Sequence, residues 1–163
     1  SKIKIIKNSD NLGAGESRNI AMGNSSGEII AFLDADDYWL PNRLEKQLLF
    51  MKKNKYKFTF CNYKKIKGNK IIEVISRKPK ITHKDLLTDC EIGLSTVFIN
   101  RELIMENLFP PLQTKEDYVA WLNITKNNIY AYNFPDFLVE WSYTENSLSS
   151  SFAQKLCDGL PNI

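Results

Sequence analysis

Three carboxylates lie within four positions directly after an apolar run, and no other residues of this chain have a spacing that points so clearly to chemistry. The run is residues 29–33, and the acids are Asp34, Asp36 and Asp37. Such a run suits a strand buried on both faces of a parallel sheet, where ligands bind beyond the carboxyl ends of the strands. Because like charges at this spacing repel, a divalent cation is expected to stabilise them. Ligation by oxygen alone favours Mg²⁺, Mn²⁺ or Ca²⁺.

Three known patterns place acids in this way, and the flanking residues distinguish them. An EF-hand loop beginning at Asp34 would find its last acid in Glu45, but it requires Asp or Asn at Tyr38 and Gly at Trp39. A phosphotransferase that forms an aspartyl-phosphate also begins with a buried strand and Asp-x-Asp, but Thr or Val usually follows where this chain has Asp37 and Tyr38. The third pattern is the Asp-x-Asp of nucleotide-sugar glycosyltransferases, whose carboxylates hold a metal that bridges the donor diphosphate. The sequence around the acids favours this third pattern.

The surroundings of the acids resemble glycosyltransferase family 2, which has the GT-A fold. Residues 11–19 read Asn-Leu-Gly-Ala-Gly-Glu-Ser-Arg-Asn, Gly-Glu precedes the apolar run, and residues 38–45 read Tyr-Trp-Leu-Pro-Asn-Arg-Leu-Glu. The family has Asn-x-Gly, Ala-Arg-Asn, Gly-Glu-x-Ile-x-Phe-Leu-Asp-x-Asp-Asp, a Pro and a Leu-Glu helix in the same order. Ser17 replaces the Ala of that pattern. The match is dense over residues 8–50 and looser beyond them.

The resemblance implies an α/β fold of the GT-A, Rossmann-like type, with a mostly parallel sheet flanked by helices and incomplete at its N-terminus. It also implies that Asp34 and Asp36 bind Mn²⁺ or Mg²⁺, with Asp36 the preferred direct ligand and Asp37 in support. The expected donor is a nucleotide-sugar, with UDP the preferred nucleotide. The expected acceptor is a hydroxyl of a glycan or a lipid-linked sugar in the synthesis of bacterial surface polysaccharide or lipooligosaccharide.

A glycine-rich segment precedes the first predicted helix and is expected to line the nucleotide. Asn11 and Gly13 suit the left-handed backbone of a tight turn, and Gly15 leaves room for the close approach of a ligand. Arg18 is predicted at the start of a helical stretch that reaches about Asn24. Its guanidinium could pair with a donor phosphate or with the carboxylates at 34–37, and a salt bridge within the fold is an equally good interpretation.

A second pair of acids, Glu116 and Asp117, is predicted to begin a helix. The apolar face of that helix would consist of residues at positions i, i+3, i+4 and i+7, namely Tyr118, Trp121, Leu122 and Thr125. Acids at a helix N-terminus also complement the helix dipole without any further role. The resemblance implies more, since the family has Glu-Asp-Tyr-x-x-Trp here and uses the Asp as general base. Asp117 would take the proton of the acceptor hydroxyl as the anomeric centre inverts.

Composition excludes several other classes of protein. The 163 residues are 43% hydrophobic and 25% charged, with a net charge of +3, which is typical of one globular domain. The lysines are dispersed, so nucleic-acid binding is not predicted. Three separated cysteines and a single histidine do not form a zinc pattern, and reduced thiols suggest a cytoplasmic location. No apolar run is long enough to span a membrane, but peripheral contact through a basic face is compatible with the sequence.

Coarse patterns predict the remaining elements. Pro41 is expected in the first turn of a helix whose apolar stripe is Leu44, Leu48 and Met51. Strand composition is found at residues 58–63, 92–99 and 137–143, and a hairpin turn is predicted at 67–70. A capping box at Thr82–Asp85 predicts a short helix that contains an exposed His83.

Both ends of the chain depart from the resemblance. Residues 2–7 are predicted to form the third strand of the family fold, so the two strands before it would belong to a longer polypeptide. Residues 1–150 would then be a partial GT-A domain with weak donor binding on its own, and 151–163 a C-terminal tail. Near residue 142 the family's Tyr-Arg-x-His segment is replaced by Trp141, Ser142 and Thr144, although Ser147 and Ser149 match it. The alternative to an active enzyme is an inactive glycosyltransferase-like fragment that serves as a binding or assembly module.

Overall fold

The computed structural model describes residues 3–144. Its helices are α1 (Gly13–Gly23), α2 (Arg43–Asn54), α3 (His83–Leu86), α4 (Arg101–Met105) and α5 (Glu116–Thr125). Its strands are β1 (Ile29–Ala31), β2 (Tyr38–Trp39), β3 (Phe58–Lys67), β4 (Lys70–Ile75), β5 (Lys80–Ile81), β6 (Phe98–Asn100) and β7 (Ala131–Ser142). A 3₁₀ turn occupies Leu94–Thr96. Among these helices, none has the length and apolar character that crossing a membrane requires. Ser147, Ser149 and the predicted tail at 151–163 lie outside the described residues.

The strands form one mixed sheet in the order β1-β6-β3-β7-β2, with β4 paired to β3 and β5 to β7. Among the described strands, only the β3–β7 pair is parallel, and the others are antiparallel. The α/β class is confirmed, but the prediction of a mostly parallel sheet is wrong. The apolar run was predicted to be buried on both faces, but Ile29 and Ala31 are only half-buried, while Ile30 and Phe32 are buried. This alternation means that the strand buries mainly one face, which suits antiparallel pairing.

Strand β3 runs through the middle of the sheet and carries much of the core. Phe58 and Phe60 are almost completely buried. The ring of Phe58 lies 5.1 Å from that of Trp121, and Phe32 lies 5.3 Å from Phe109 at a steep angle. The Phe32–Phe109 contact is edge-to-face, a geometry that aromatic pairs favour. The core therefore joins the end of β1 to helix α5, the two elements that carry the predicted acids.

The segment predicted as a third strand is not a strand in the structure. Residues 3–8 form no regular element, and the side chains of Ile3 and Ile5 are 81% and 89% exposed. Alternating apolar residues predict a strand only when the fold supplies a paired strand and a face to bury. The described residues supply neither at this position.

Helix α2 buries a face that differs in part from the predicted one, since Met51 is buried as expected and Leu48 is half-buried. Arg43, Gln47 and Met51 are buried, whereas Leu44 is 55% exposed. Arg43 packs over the rings of Trp39 and Phe98, so the face of α2 that carries Arg43 is turned towards the sheet. Pro41 lies outside the helix, because Asn42 is the N-cap residue and adopts φ 65°.

Several smaller predictions have mixed outcomes. The hairpin is confirmed, with Lys67 opposite Lys70, and so is the capping box of α3. The strand predicted at 92–99 is shorter, because a 3₁₀ turn precedes β6. His83 is half-buried rather than exposed, and its Nδ1 lies 3.1 Å from Thr125 Oγ1.

Candidate active site

The acids at 34–37 form a tight turn where the chain leaves β1. The Asp37 amide donates to the Asp34 carbonyl at 3.1 Å, which closes the turn. Asp36 lies at its tip with an exposed side chain, and Asp34 is partly exposed. We refer to residues 34–37 as the acidic turn. Its two outward carboxylates are separated by one residue and are open to a ligand.

Ser95 is a buried residue that holds the acidic turn in place. It is 3% exposed, its Oγ accepts a hydrogen bond from the Asp34 amide at 3.1 Å, and its carbonyl accepts one from Trp39 Nε1 at 2.9 Å. The Trp39 ring lies 4.0 Å from the guanidinium carbon of Arg43. Packing accounts for the position of Trp39. A hydroxyl beside a predicted strand was the only sign of Ser95 in the sequence, because its partner Asp34 lies 61 residues away.

Asp37 faces the protein rather than solvent. Its Oδ1 accepts a hydrogen bond from the Ser142 amide at 3.1 Å. Burial raises the pKa of Asp37 to about 6, against the opposing effect of hydrogen bonds from Ser95 and the Ser142 amide. The hydrogen bond from the Ser142 amide holds the acidic turn against the end of β7, so Asp37 is placed to support the turn.

Arg18 joins the acidic turn to helix α5. Its Nη2 lies 2.7 Å from Asp34 Oδ1, and its Nη1 lies 2.5 Å from Glu116 Oε1. Glu116 is 7% exposed, so its carboxylate is held in a nearly buried ion pair. Such charge-assisted bonds are strong and directional. The structure contains the salt bridge within the fold and adds Glu116 as a second partner, while the pairing of Arg18 with a donor phosphate stays a prediction.

Asp117 lies next to this ion pair and is half-buried. Its Oδ1 accepts a hydrogen bond from the Tyr118 amide at 2.8 Å. Burial is the main cause that raises the pKa of Asp117, and the Glu116 carboxylate adds to it. Burial, helped by the charge of Asp117, also raises the pKa of Cys90 to about 12. A neutral thiol therefore lies near Asp117, and no motif in the sequence predicts this neighbour.

The glycine-rich segment begins α1 earlier than predicted. Gly13 has φ +77°, and its amide donates to Asn11 Oδ1 at 3.1 Å, so these two residues form the expected tight turn. Only Gly13 of the two is left-handed. A Cβ at Gly15 would lie 3.1 Å from Glu116 Cγ and from the Pro110 carbonyl. The close approach at Gly15 is therefore to the protein itself, which corrects the expectation of a ligand there.

Asn19, the last residue of the Ser-Arg-Asn motif, fastens α1 to the chain that precedes α5. Its Nδ2 donates to the Phe109 carbonyl at 2.9 Å, and the Phe109 amide donates to its Oδ1 at 3.0 Å. Together with Arg18, this pair of bonds fixes α1 against the region of Glu116. The motif thus brings residues about a hundred positions apart into one site.

The donor chemistry of the acidic turn suits Mg²⁺ or Mn²⁺. Asp34 and Asp36 offer carboxylate oxygens, which these cations prefer. Within residues 3–144, no group of three or more His, Cys, Asp or Glu side chains is close enough to hold a metal ion. A cation here would take its remaining ligands from water and substrate, as Mg²⁺ commonly does at phosphate sites.

Comparison with known proteins agrees with this geometry. The model of the family "Glycosyl transferase family 2" matches residues 1–102. The Escherichia coli protein WfgD, named as a UDP-Glc:alpha-D-GlcNAc-diphosphoundecaprenol beta-1,3-glucosyltransferase, is 40% identical over 157 residues, covering 96% of this chain and 62% of its own length. The putative teichuronic acid biosynthesis glycosyltransferase TuaG of Bacillus subtilis is 34% identical over 152 residues, covering 92% and 60%. This chain therefore spans about three-fifths of these relatives.

The fold resembles that of a solved structure. The crystal structure of S. aureus TarS 1-349 in complex with UDP-GlcNAc superposes with a TM-score of 0.67 and 21% identity, covering 85% of this chain and 41% of TarS 1-349. At that identity the likeness concerns the fold, a mixed sheet of the GT-A type. Taken with the family match over residues 1–102, these findings show that the chain belongs to glycosyl transferase family 2.

Proposed function

We propose that the full-length protein transfers a sugar from a UDP-sugar donor to a lipid-linked acceptor. The transfer would invert the anomeric carbon and would depend on Mn²⁺ or Mg²⁺. One observation carries the proposal: Arg18 holds the acidic turn and the start of α5 together, at 2.7 Å from Asp34 and 2.5 Å from Glu116. A carboxylate pair open to a cation and a half-buried Asp117 therefore lie on either side of one partly buried bridge. Such a pair of sites is what transfer between a nucleotide donor and a hydroxyl acceptor requires.

Two carboxylates would hold the cation. Asp34 and Asp36 are the proposed ligands, and a bound cation would neutralise charge on the departing diphosphate. Arg18 fixes the orientation of Asp34, and Ser95 and Asp37 fix the backbone of the turn. Asn11 and Gly13 are proposed to line the nucleotide. This assignment rests on the family motif and on the turn that these two residues form.

Asp117 is the proposed general base. Its carboxylate would accept the proton of the acceptor hydroxyl while that oxygen forms a bond to the anomeric carbon and the bond to the diphosphate breaks on the opposite face. Glu116 is a poorer candidate because Arg18 already holds its carboxylate in a nearly buried ion pair. The raised pKa of Asp117 makes it a stronger base than an exposed aspartate.

The relatives suggest the substrates. WfgD and a second E. coli protein, WfaP, which is 40% identical over 133 residues, are both named as glucosyltransferases that use UDP-Glc and GlcNAc-diphosphoundecaprenol. We propose UDP-glucose as donor and a lipid diphosphate-linked sugar as acceptor for this protein, acting at the cytoplasmic face of the membrane. Surface polysaccharide synthesis would be the corresponding process.

A transfer assay on the full-length protein tests the assignment. Asp117→Asn should abolish transfer from UDP-glucose to the lipid-linked acceptor and leave UDP binding unchanged, because the base does not contact the nucleotide. Asp136→Asn is the matched control, since Asp136 lies in the middle of β7 in a surface ion pair with Lys46 of α2. Full transfer by Asp117→Asn would refute the role of Asp117. Tight UDP binding by a wild-type protein that never transfers sugar would favour the binding module instead.

A further inference from the structure

The hairpin formed by β3 and β4 has an unusual surface that the proposed chemistry does not use. We define the basic hairpin as residues 63–75. Along β4, Ile71, Ile72 and Val74 are 54%, 47% and 54% exposed. Three exposed branched apolar side chains within four positions form a patch of the kind that marks an interaction site.

The same hairpin concentrates positive charge. It carries four lysines and one glutamate, a net charge of +3, which equals the net charge of the entire chain. Lys65 lies 3.5 Å from Glu73, but within the described residues Lys64 and Lys70 make no ion pair. Apolar side chains bordered by unpaired lysines are typical of surfaces that bind anionic lipid headgroups.

Pairing with another strand is a poor explanation for this patch. The β3–β4 register shifts between Lys65 and Ile66, so the edge strand is irregular there. Bulges and lysines at a sheet edge are the features by which proteins prevent further strand pairing. The surface is therefore better suited to a fluid interface than to a peptide.

The position of the hairpin connects it with the active site. Ile71 is opposite Ile66 on β3, and Ile66 is opposite Ser142 on β7. The amide of Ser142 donates to Asp37 of the acidic turn. Two strand spacings thus separate Ile71 from the residue that holds the turn, a distance of about 10 Å. The hairpin and the acidic turn lie at the same end of β3 and β7.

We propose that the basic hairpin docks the enzyme on an anionic membrane surface and so presents the active site to a lipid-linked acceptor. The acceptor part of this inference rests on the proposed function, whereas the docking part rests on the hairpin alone. Isoleucine and valine side chains would enter the interface, and Lys64 and Lys70 would contact lipid phosphates.

Vesicle co-sedimentation of the full-length protein tests the docking. Vesicles of phosphatidylcholine with phosphatidylglycerol should bind the protein, vesicles of phosphatidylcholine alone should bind it weakly, and added salt should reduce the binding. Lys64→Glu combined with Lys70→Glu should lower the affinity for anionic vesicles about tenfold or more. Ile72→Ser combined with Val74→Ser should lower it about tenfold by removing apolar contact.

Matched control variants lie on α2. Lys52→Glu with Lys53→Glu makes the same change in net charge, but these exposed residues lie near the start of β3, about 30 Å from the tip of the hairpin. Leu44→Ser with Leu49→Ser removes side chains that are 55% and 61% exposed. Both controls should bind vesicles like the wild type. Hydrolysis of UDP-glucose without acceptor should be unchanged in all four variants, while transfer to acceptor in vesicles should fall only in the hairpin variants.

Three results would overturn the proposal: no binding of the wild type to anionic vesicles, equal binding to uncharged vesicles, or equal losses in hairpin and control variants. Concentration-dependent dimerisation through the hairpin without vesicle binding would indicate a second copy as the partner and would also refute it. Hairpin-dependent vesicle binding by a protein that turns over no UDP-sugar would refute the proposed function but leave the docking intact.

Discussion

At the residue scale, the site combines carboxylates that an ion pair holds in place, those of Asp34 and Glu116, with the exposed carboxylate of Asp36. Arg18 is 20% exposed and bridges Asp34 and Glu116, which come from different elements. Removing one member of such an ion pair leaves the others partly desolvated and unpaired, which is costly. Asp117 is the acid of the α5 pair that this bridge leaves available for chemistry.

The raised pKa of Asp117 predicts the pH dependence of transfer. A base acts in its deprotonated form, so kcat/KM should fall on acidification, with an inflection above the usual aspartate value of about 4. Transfer rates of the full-length protein measured across acidic pH test this expectation. Asp136→Asn should show the wild-type profile. A wild-type profile that stays flat down to about pH 4 would contradict the assignment of Asp117.

Arg43 allows a test of whether the charge of a buried side chain or its packing contributes more to the free energy of unfolding. The side chain is 1% exposed, and its guanidinium lies between the rings of Trp39 at 4.0 Å and Phe98 at 4.8 Å, without well-placed hydrogen-bond acceptors. Burial lowers the pKa of Arg43, against an opposing effect of the Cys61 thiol. Arg43→Met keeps the length, so the free energy of unfolding should rise or change by less than about 1 kcal/mol.

Arg43→Ala is the comparison variant, and its free energy of unfolding should fall by about 2–4 kcal/mol because it leaves a cavity. Urea denaturation of both variants measures the difference. A loss of more than about 3 kcal/mol in Arg43→Met would show that the cation–aromatic contacts outweigh the cost of burying the charge.

At the scale of elements, helix α1 is fitted closely against the chain that leads into α5. Asn19 makes two bonds to the backbone of Phe109, and Gly15 lets the helix approach Glu116 and Pro110. The glycine is needed for this contact between elements, since a side chain there would separate them. The contact sets the distance between the acidic turn and Asp117.

Two glycines of α1 provide a paired test. Gly15→Ala should lower the free energy of unfolding by about 1–3 kcal/mol, because its Cβ would lie 3.1 Å from Glu116 Cγ and from the Pro110 carbonyl. Gly23→Ala should raise it by about 0.4–1 kcal/mol, since nothing lies within 4 Å and the unfolded chain loses freedom. Thermal or urea unfolding measures both. Equal effects of the two substitutions would contradict the close packing at Gly15.

Local patterns predicted the elements better than they predicted which face each element buries. The turn at 67–70, the cap at Thr82 and the helix at Glu116 follow from neighbouring residues, and the structure contains all three. The buried face of α2 could not be predicted, because a buried arginine between two rings runs against the usual preference of arginine for the surface. The antiparallel pairing of β1 with β6 depends on residues about 70 positions away, which no local pattern reports.

At the scale of the whole molecule, the candidate site gathers residues from both ends of the described chain. Arg18, Asp34, Ser95, Asp117 and Ser142 converge around one end of the sheet. Motifs in the sequence predict Asp34, Asp36 and Asp117 as site residues, but not Ser95 or the bridge at Glu116, whose contacts form only after folding. Because the chain spans about three-fifths of its curated relatives, the proposed activity is assigned to the full-length protein.

Calorimetric titration of the full-length protein with UDP, with and without Mn²⁺, tests most directly whether the acidic turn holds a cation for the nucleotide. UDP should bind tightly only with Mn²⁺, and Asp36→Asn should weaken that binding at least about tenfold, or about 1.4 kcal/mol, while Asp136→Asn binds like the wild type. Equal UDP affinity of the wild type and Asp36→Asn, or binding that does not depend on Mn²⁺, would contradict the account.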